Sequence, residues 1–146
     1  MAQTVKKEAN MDVVRRFFEL GPSSGDLEAA DALLAPDFTL HVPLPVTGPG
    51  IAAMNNVITS CRAAFHGLQV TIHDLFADGD RVACRFTARG VHNGEFMGVP
   101  PTGKRIVMTG IEIFRLRDGK IAELWGEANL MGLMQQLGIL PGGPQR

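Results

Sequence analysis

Two glutamates in the second half of the chain lie where a carboxyl group could transfer protons. Glu127 follows Trp125 by two residues on a strand-like run, so both side chains would share one strand face, and the indole could shield the carboxyl from water. Glu112 lies on an otherwise apolar run, in alternation with Met108 and Phe114. Burial raises the pKa of a carboxyl, and two carboxyls facing one cavity would divide into an acid and a base. The alternative for each is a solvated glutamate.

His41 and Arg85 are further candidates for acid/base or ligand-orienting roles. His41 stands at a strand end beside Pro43, where a histidine could exchange protons near neutral pH. A half-buried histidine bonded to the backbone is the alternative. Arg85 alternates against the apolar Cys84 and Phe86, so it points either into a concave cavity or into a surface salt bridge.

Composition excludes several other classes of function. The net charge is −1 and no basic stripe is present, which argues against a nucleic-acid partner. No apolar run approaches the length of a membrane span, the first residues have no secretory apolar region, and no metal-site or phosphate-loop spacing occurs. Cys61 and Cys84 lie in apolar surroundings and are predicted to be free thiols. We expect a cytoplasmic protein without cofactor or metal.

The elements that position these residues follow from the apolar periodicity. Helices are predicted over residues 11–20, from a cap at Asp26 to residue 34, over 51–65, and over 129–137. Strands are predicted over residues 38–42, 68–76, 81–92, 105–117 and 120–127, with Asp78-Gly79 and Asp118-Gly119 as hairpin turns. This order predicts one α+β domain over residues 11–140 with flexible termini. Its curved antiparallel sheet would form a cone, with helices covering an apolar pocket.

Four runs carry a resemblance to a known family: GDLEAADALLAPDF (25–38), GDRVACRFTARGVHNGEFMGVPPTGKRI (79–106), GIEIFRLRDGKIAELW (110–125) and LMQQLG (133–138). They resemble SnoaL-like polyketide cyclases, within the superfamily of nuclear transport factor two, ketosteroid isomerase, scytalone dehydratase and limonene epoxide hydrolase. The resemblance implies the conical fold and a homodimer with sheets packed face to face. It does not imply one reaction, because this fold hosts many.

The resemblance also bears on the site residues. In SnoaL-like cyclases an aspartate acid/base usually stands four residues after the tryptophan that Trp125 matches, but this chain has Asn129 there. An amide cannot take a proton at neutral pH. Glu127 is therefore the expected substitute, and Asn129 is expected to be a helix N-cap or to orient a ligand. The likeness to epoxide hydrolases implies a pocket position for Arg85 and a water-positioning role for His41.

These observations predict a cofactor-independent enzyme acting by acid/base chemistry on a small hydrophobic molecule, as a cyclase, isomerase or dehydratase. The absence of tyrosine excludes the tyrosine oxyanion hole of ketosteroid isomerases. The alternatives are an epoxide hydrolase and a non-catalytic binder of small ligands. The predicted catalytic residues are Glu127, Glu112, His41 and Arg85; the predicted ligand-binding residues are Trp125, Asn129, Phe114, Met97, Met108, Leu40 and Phe18.

Overall fold

The computed structural model describes residues 2–46 and 48–141. Its helices are α1 (Ala2–Phe18), α2 (Leu27–Asp31), α3 (Gly50–Ala64) and α4 (Leu130–Gln136), and a π-helical segment (Glu19–Ser23) continues α1. Its strands are β1 (Leu34–His41), β2 (Phe65–Asp78), β3 (Arg81–His92), β4 (Arg105–Arg117) and β5 (Lys120–Ala128). They form one open sheet in the order β1-β5-β4-β3-β2. The predicted α+β class is confirmed.

The sheet differs from the prediction in one respect, because it is mixed rather than fully antiparallel. β1 runs parallel to β5, with His41 opposite Trp125, whereas the other three pairs are antiparallel. β1 also begins at Leu34, four residues before the predicted start, and includes Pro36. Proline has no N–H to donate, so it fits only an edge strand. β1 is such an edge, and its pairing with β5 is irregular between Leu34 and Thr39.

The first helix is longer than its apolar pattern indicates. It begins at Ala2, so residues 2–10 belong to α1 and not to a separate terminal segment. Most of these residues are exposed and favour helix, but they show no apolar periodicity from which a helix could be predicted. The helix then continues through Pro22 as a π-helical turn. The predicted cap of α2 is confirmed, since the Asp26 carboxylate accepts a hydrogen bond from the Ala29 amide at 3.1 Å. Residues 142–146 of the predicted flexible C-terminus lie outside the described residues.

The inner face of the sheet packs against α1 and α3. Strand alternation places the apolar side chains of β3 on this face, where Cys84 is buried. Phe114 on β4 is fully buried against α1, with its ring centroid 6.2 Å from that of Phe17 and 5.7 Å from that of Phe18. Both cysteines are free, as predicted. No helix in the described ranges is long and apolar enough to cross a membrane.

The β4–β5 hairpin fixes which residues of those two strands face each other. Its turn residues Asp118 and Gly119 have φ values of 52° and 77°, the left-handed conformation that a tight two-residue hairpin requires. The resulting register sets Glu112 opposite Gly126. This pairing places the Glu112 side chain beside a residue that has none.

Candidate active site

A cavity of about 110 Å³ lies between the inner face of the sheet and helices α1 and α3. Its wall is almost entirely hydrocarbon. The lining residues are Phe17, Phe18, Pro22, Val42, Pro43, Leu44, Met54, Val57, Ile58, Cys61, Phe65, Leu68, Val70, Phe86, Ala88, Phe96, Ile106, Met108, Glu112, Leu124, Gly126, Glu127, Ala128 and Leu130. Pro43 is exposed, so the rim of the cavity lies at the loop that follows β1. Such a wall favours apolar ligands.

Glu112 is the carboxylic acid whose side chain belongs to this wall. Alternation along β4 places it on the inner face between Gly110 and Phe114, one of the two orientations that the sequence left open. Its neighbour across β5 is Gly126, and a Cβ atom at Gly126 would lie 3.0 Å from Glu112 Oε2. It would also lie 3.1 Å from Val42 Cγ1. The missing side chain at Gly126 therefore leaves the space that the carboxyl occupies.

Burial changes the protonation of Glu112. Its side chain is partly accessible, and that surface belongs to the cavity wall. Loss of hydration raises the pKa of this carboxyl from 4.5 to about 8, with no charged neighbour contributing to the change. At neutral pH Glu112 is mostly protonated, and a modest rise in pH ionises it. A proton-transfer group is most effective when its pKa lies near the working pH.

Glu127 lies at the margin of the cavity, but its side chain is exposed. It pairs with Ile111 on β4, and both side chains alternate to the outer face of the sheet, away from Glu112. The two glutamates therefore do not form the predicted acid–base pair. The shared face of Trp125 and Glu127 was correctly predicted, but it is the outer face.

Trp125 stands on the outer face and does not belong to the cavity wall, contrary to the prediction. Its indole stacks on the His41 ring, with centroids 5.7 Å apart and planes 16° apart, and the Arg81 guanidinium carbon lies 5.2 Å from the ring centroid. His41 Nε2 is 2.8 Å from Glu123 Oε2, and Arg115 donates to the other oxygen of Glu123. The hydrogen bond with His41, and then Arg115, lowers the pKa of Glu123. His41 thus belongs to a polar surface cluster.

Arg85 also lies on the outer face, where its Nε donates to Asp74 on β2 at 2.6 Å. This is the surface salt bridge that the sequence left open as an alternative to a pocket position. Strand alternation explains the placement, because Cys84 and Phe86 occupy the inner face. Arg85 and His41 are therefore not available to the cavity, and neither is positioned to assist Glu112.

Asn129 is the N-cap of α4, as predicted, and its side-chain oxygen accepts from the Gly132 amide at 2.9 Å. It is not part of the cavity wall. Among the other predicted ligand-binding residues, Phe18 and Met108 line the cavity, whereas Phe114, Leu40 and Met97 do not. Phe114 and Leu40 pack in or against the core, and Met97 is 51% exposed at a loop turn.

The sequence reasoning missed the wall formed by α3 and the role of Gly126. Met54, Val57, Ile58 and Cys61 recur on one side of α3 at helical spacing and face the cavity. This spacing was a usable signal, but it also fits an ordinary core helix. Burial raises the pKa of the Cys61 thiol to about 11, so this cysteine is neutral. In the described ranges, no three His, Cys, Asp or Glu residues are placed to hold a metal ion.

Comparisons with known proteins agree with the fold and the sequence resemblance. IdmH from Streptomyces antibioticus, a proposed polyketide cyclase, is 36% identical over 88% of this chain and 98% of its own, with a TM-score of 0.77. AclR from Streptomyces galilaeus, a proposed hydroxylase, is 31% identical over 93% of this chain and 85% of its own, with a TM-score of 0.81. TsrD from Streptomyces laurentii is also 31% identical, over 91% of this chain and 97% of its own, with a TM-score of 0.81.

A search among curated proteins finds no match. The family model of SnoaL-like polyketide cyclases matches residues 12–137, which is most of the chain. The chain therefore belongs to the SnoaL-like polyketide cyclase family.

Proposed function

We propose that this protein is a cofactor-independent enzyme that performs acid/base chemistry on a small apolar molecule, with Glu112 as the group that transfers the proton. One observation carries the proposal: the buried carboxyl of Glu112 lies in the hydrocarbon wall of the cavity, and burial raises its pKa to about 8. Burying an ionisable carboxyl away from water costs stability. Ionisable groups whose pKa is shifted by burial are concentrated at functional sites.

The proposed chemistry is an intramolecular carbon–carbon bond formation or an isomerisation. The ionised Glu112 takes a proton from a carbon next to a carbonyl, and the resulting enolate attacks a second carbonyl of the same molecule. The protonated Glu112 then returns its proton to the new alkoxide, so the enzyme ends in its starting state and no atoms are gained or lost. Return of the proton to a different carbon would give isomerisation. The names of structural neighbours such as IdmH support a carbonyl substrate.

Epoxide hydrolysis is a weaker alternative. It would need several polar groups around one attacking water, and Glu112 has none of the predicted helpers near it. Arg85 is bonded to Asp74, and His41 is bonded to Glu123. Both pairs lie on the outer face of the sheet.

Deuterium exchange provides a test that does not require the natural substrate. Phenylacetone in D₂O is incubated with the protein, and loss of the methylene proton signal is followed by NMR. We expect Glu112→Gln to slow the catalysed exchange by roughly 10²–10⁴, the usual contribution of a positioned acid/base. Glu28→Gln is the matched control, because it makes the same chemical change on an exposed side chain of α2 outside the cavity wall.

The pH dependence of the exchange supplies a second readout. Since ionised Glu112 is the base, the rate should rise with pH and level off above about pH 8. Exchange at the wild-type rate in folded Glu112→Gln protein would contradict the proposal.

A further inference from the structure

We infer that the substrate enters the cavity uncharged, with a single ring or a hydrocarbon group of similar size that presents a carbonyl oxygen to Glu112, and that the cavity excludes carboxylates and ammonium ions. This inference rests on the proposed function, because it specifies the substrate of the same site. It is carried by the composition and geometry of the cavity wall.

The described part of the cavity wall offers an anion no cationic side chain to pair with. Among the described residues that line the cavity, none is Lys, Arg or His. The guanidinium groups of Arg81, Arg85 and Arg115 are engaged on the outer face, with Trp125, Asp74 and Glu123 respectively. A carboxylate taken from water into an apolar site without a cation loses several kcal/mol of hydration energy. Ionised Glu112 would add repulsion to that loss.

Cations are disfavoured for a different reason. An ammonium group would have Glu112 as a counter-ion, but an ammonium has three N–H donors. Besides Glu112, the neutral Cys61 thiol and Glu127 at the margin, the described side chains that line the cavity are hydrocarbon or thioether. The groups packed around Glu112 are also uncharged: Cys84 beside it on β3, Gly126 on β5 and Val42 after β1. An isolated buried ion pair of this kind does not recover the hydration energy of its two ions.

The size of the substrate follows from the space next to the carboxyl. An apolar cavity of roughly 150 Å³ binds benzene, and the cavity here, at about 110 Å³ with its rim at the exposed Pro43, is of the same order. Two side chains that line this space, Phe86 and Glu112, pack against bare backbone, because β4 and β5 carry glycine at adjacent inner positions. A Cβ atom at Gly110 would lie 2.5 Å from the tip of the Phe86 ring, and one at Gly126 would lie 3.0 Å from Glu112 Oε2. A bound ring would therefore lie between the phenylalanine side chains and the carboxyl.

Three probes with one skeleton and three charges test the inference. Phenylacetone is neutral and carries a carbonyl, phenylacetate is an anion, and phenethylamine is a cation at neutral pH. Binding to the wild-type protein is measured at pH 7 by calorimetry and by chemical-shift changes. We expect saturable binding of phenylacetone at millimolar concentration and at least about tenfold weaker binding of both ions, which corresponds to about 1.4 kcal/mol or more.

Three variants test whether phenylacetone binds in this cavity, and whether the charge of Glu112 or the space beside it decides the affinity. Glu112→Gln stays neutral and can still donate a hydrogen bond, so it should keep phenylacetone binding and the exclusion of phenylacetate. Gly126→Val puts a side chain where the Glu112 carboxyl lies, which displaces that carboxyl into the cavity, and it should weaken phenylacetone binding at least about tenfold. Glu28→Gln, at an exposed position on α2 outside the cavity wall, should leave all three affinities unchanged. Circular dichroism and thermal melting establish that each variant is folded.

The outcomes separate this inference from the proposed function. Phenylacetate or phenethylamine binding as tightly as phenylacetone would overturn the inference, as would the absence of saturable phenylacetone binding. Neither result depends on the exchange rate measured with Glu112→Gln. Conversely, selective phenylacetone binding together with unchanged exchange in that variant would support the inference about the ligand and contradict the role of Glu112 as the base.

Discussion

Replacing Glu112 by glutamine should change how the stability of the protein depends on pH. The folded protein holds the proton of Glu112 up to about pH 8, whereas the unfolded chain releases it near the ordinary value of 4.5. Between these values the folded state binds more protons than the unfolded state, so the free energy of unfolding falls as pH rises. The contribution of Glu112 is fully present below pH 4.5 and fully lost above about pH 8.

The magnitude follows from the size of the pKa shift. Each pKa unit corresponds to about 1.4 kcal/mol, so a rise from 4.5 to about 8 amounts to at most about 5 kcal/mol across this pH range. That is a large share of the total stability of a domain, which is roughly 5–15 kcal/mol. Other ionisable groups contribute equally in wild type and variant, so the difference between the two isolates Glu112.

Urea denaturation at several pH values between 5 and 8.5 provides the assay. We expect the wild-type free energy of unfolding to fall by several kcal/mol more than that of Glu112→Gln over this range. Glu127→Gln serves as the control and should follow the wild type, since its side chain is exposed. Parallel pH profiles for wild type and Glu112→Gln would refute the conclusion that Glu112 is buried without a charged partner.

Three further outcomes follow from the placement of single residues. Trp125 stacks on His41 outside the cavity, so saturating phenylacetone should leave the tryptophan emission unchanged; a ligand-dependent spectral shift would contradict this placement. Phe114 is 0% exposed, so Phe114→Ala should lower the free energy of unfolding by about 3–5 kcal/mol in urea titrations. We also propose that the protein forms a homodimer through the outer face of β4, where Val107, Ile111 and Ile113 are 42%, 55% and 39% exposed. Light scattering should then report a dimer for the wild type and a monomer for Ile111→Glu, and a monomeric wild type at high micromolar concentration would contradict the proposal.

Much of the architecture could be predicted from local patterns. The alternation of apolar residues predicted β3 and β4 with the bounds that the structure has, because each strand buries one face. The Asp118-Gly119 pair predicted its hairpin, since those residues tolerate positive φ. The caps at Asp26 and Asn129 were also visible, because both side chains satisfy backbone donors within three residues in sequence. Each of these features depends on near neighbours alone.

What the sequence could not decide was which face of β5 closes the cavity. Alternation placed Trp125 and Glu127 together, but both sets of residues on β5 contain apolar side chains, so the pattern fits either orientation. Only the placement of α1 and α3, which line the same cavity as Leu124 and Gly126, made that side the inner one. The contribution of Gly126 to the cavity wall was invisible for a related reason: the residue contributes by the absence of a side chain. That absence has meaning only once the β4–β5 register places Gly126 opposite Glu112, with the helices enclosing the space between them.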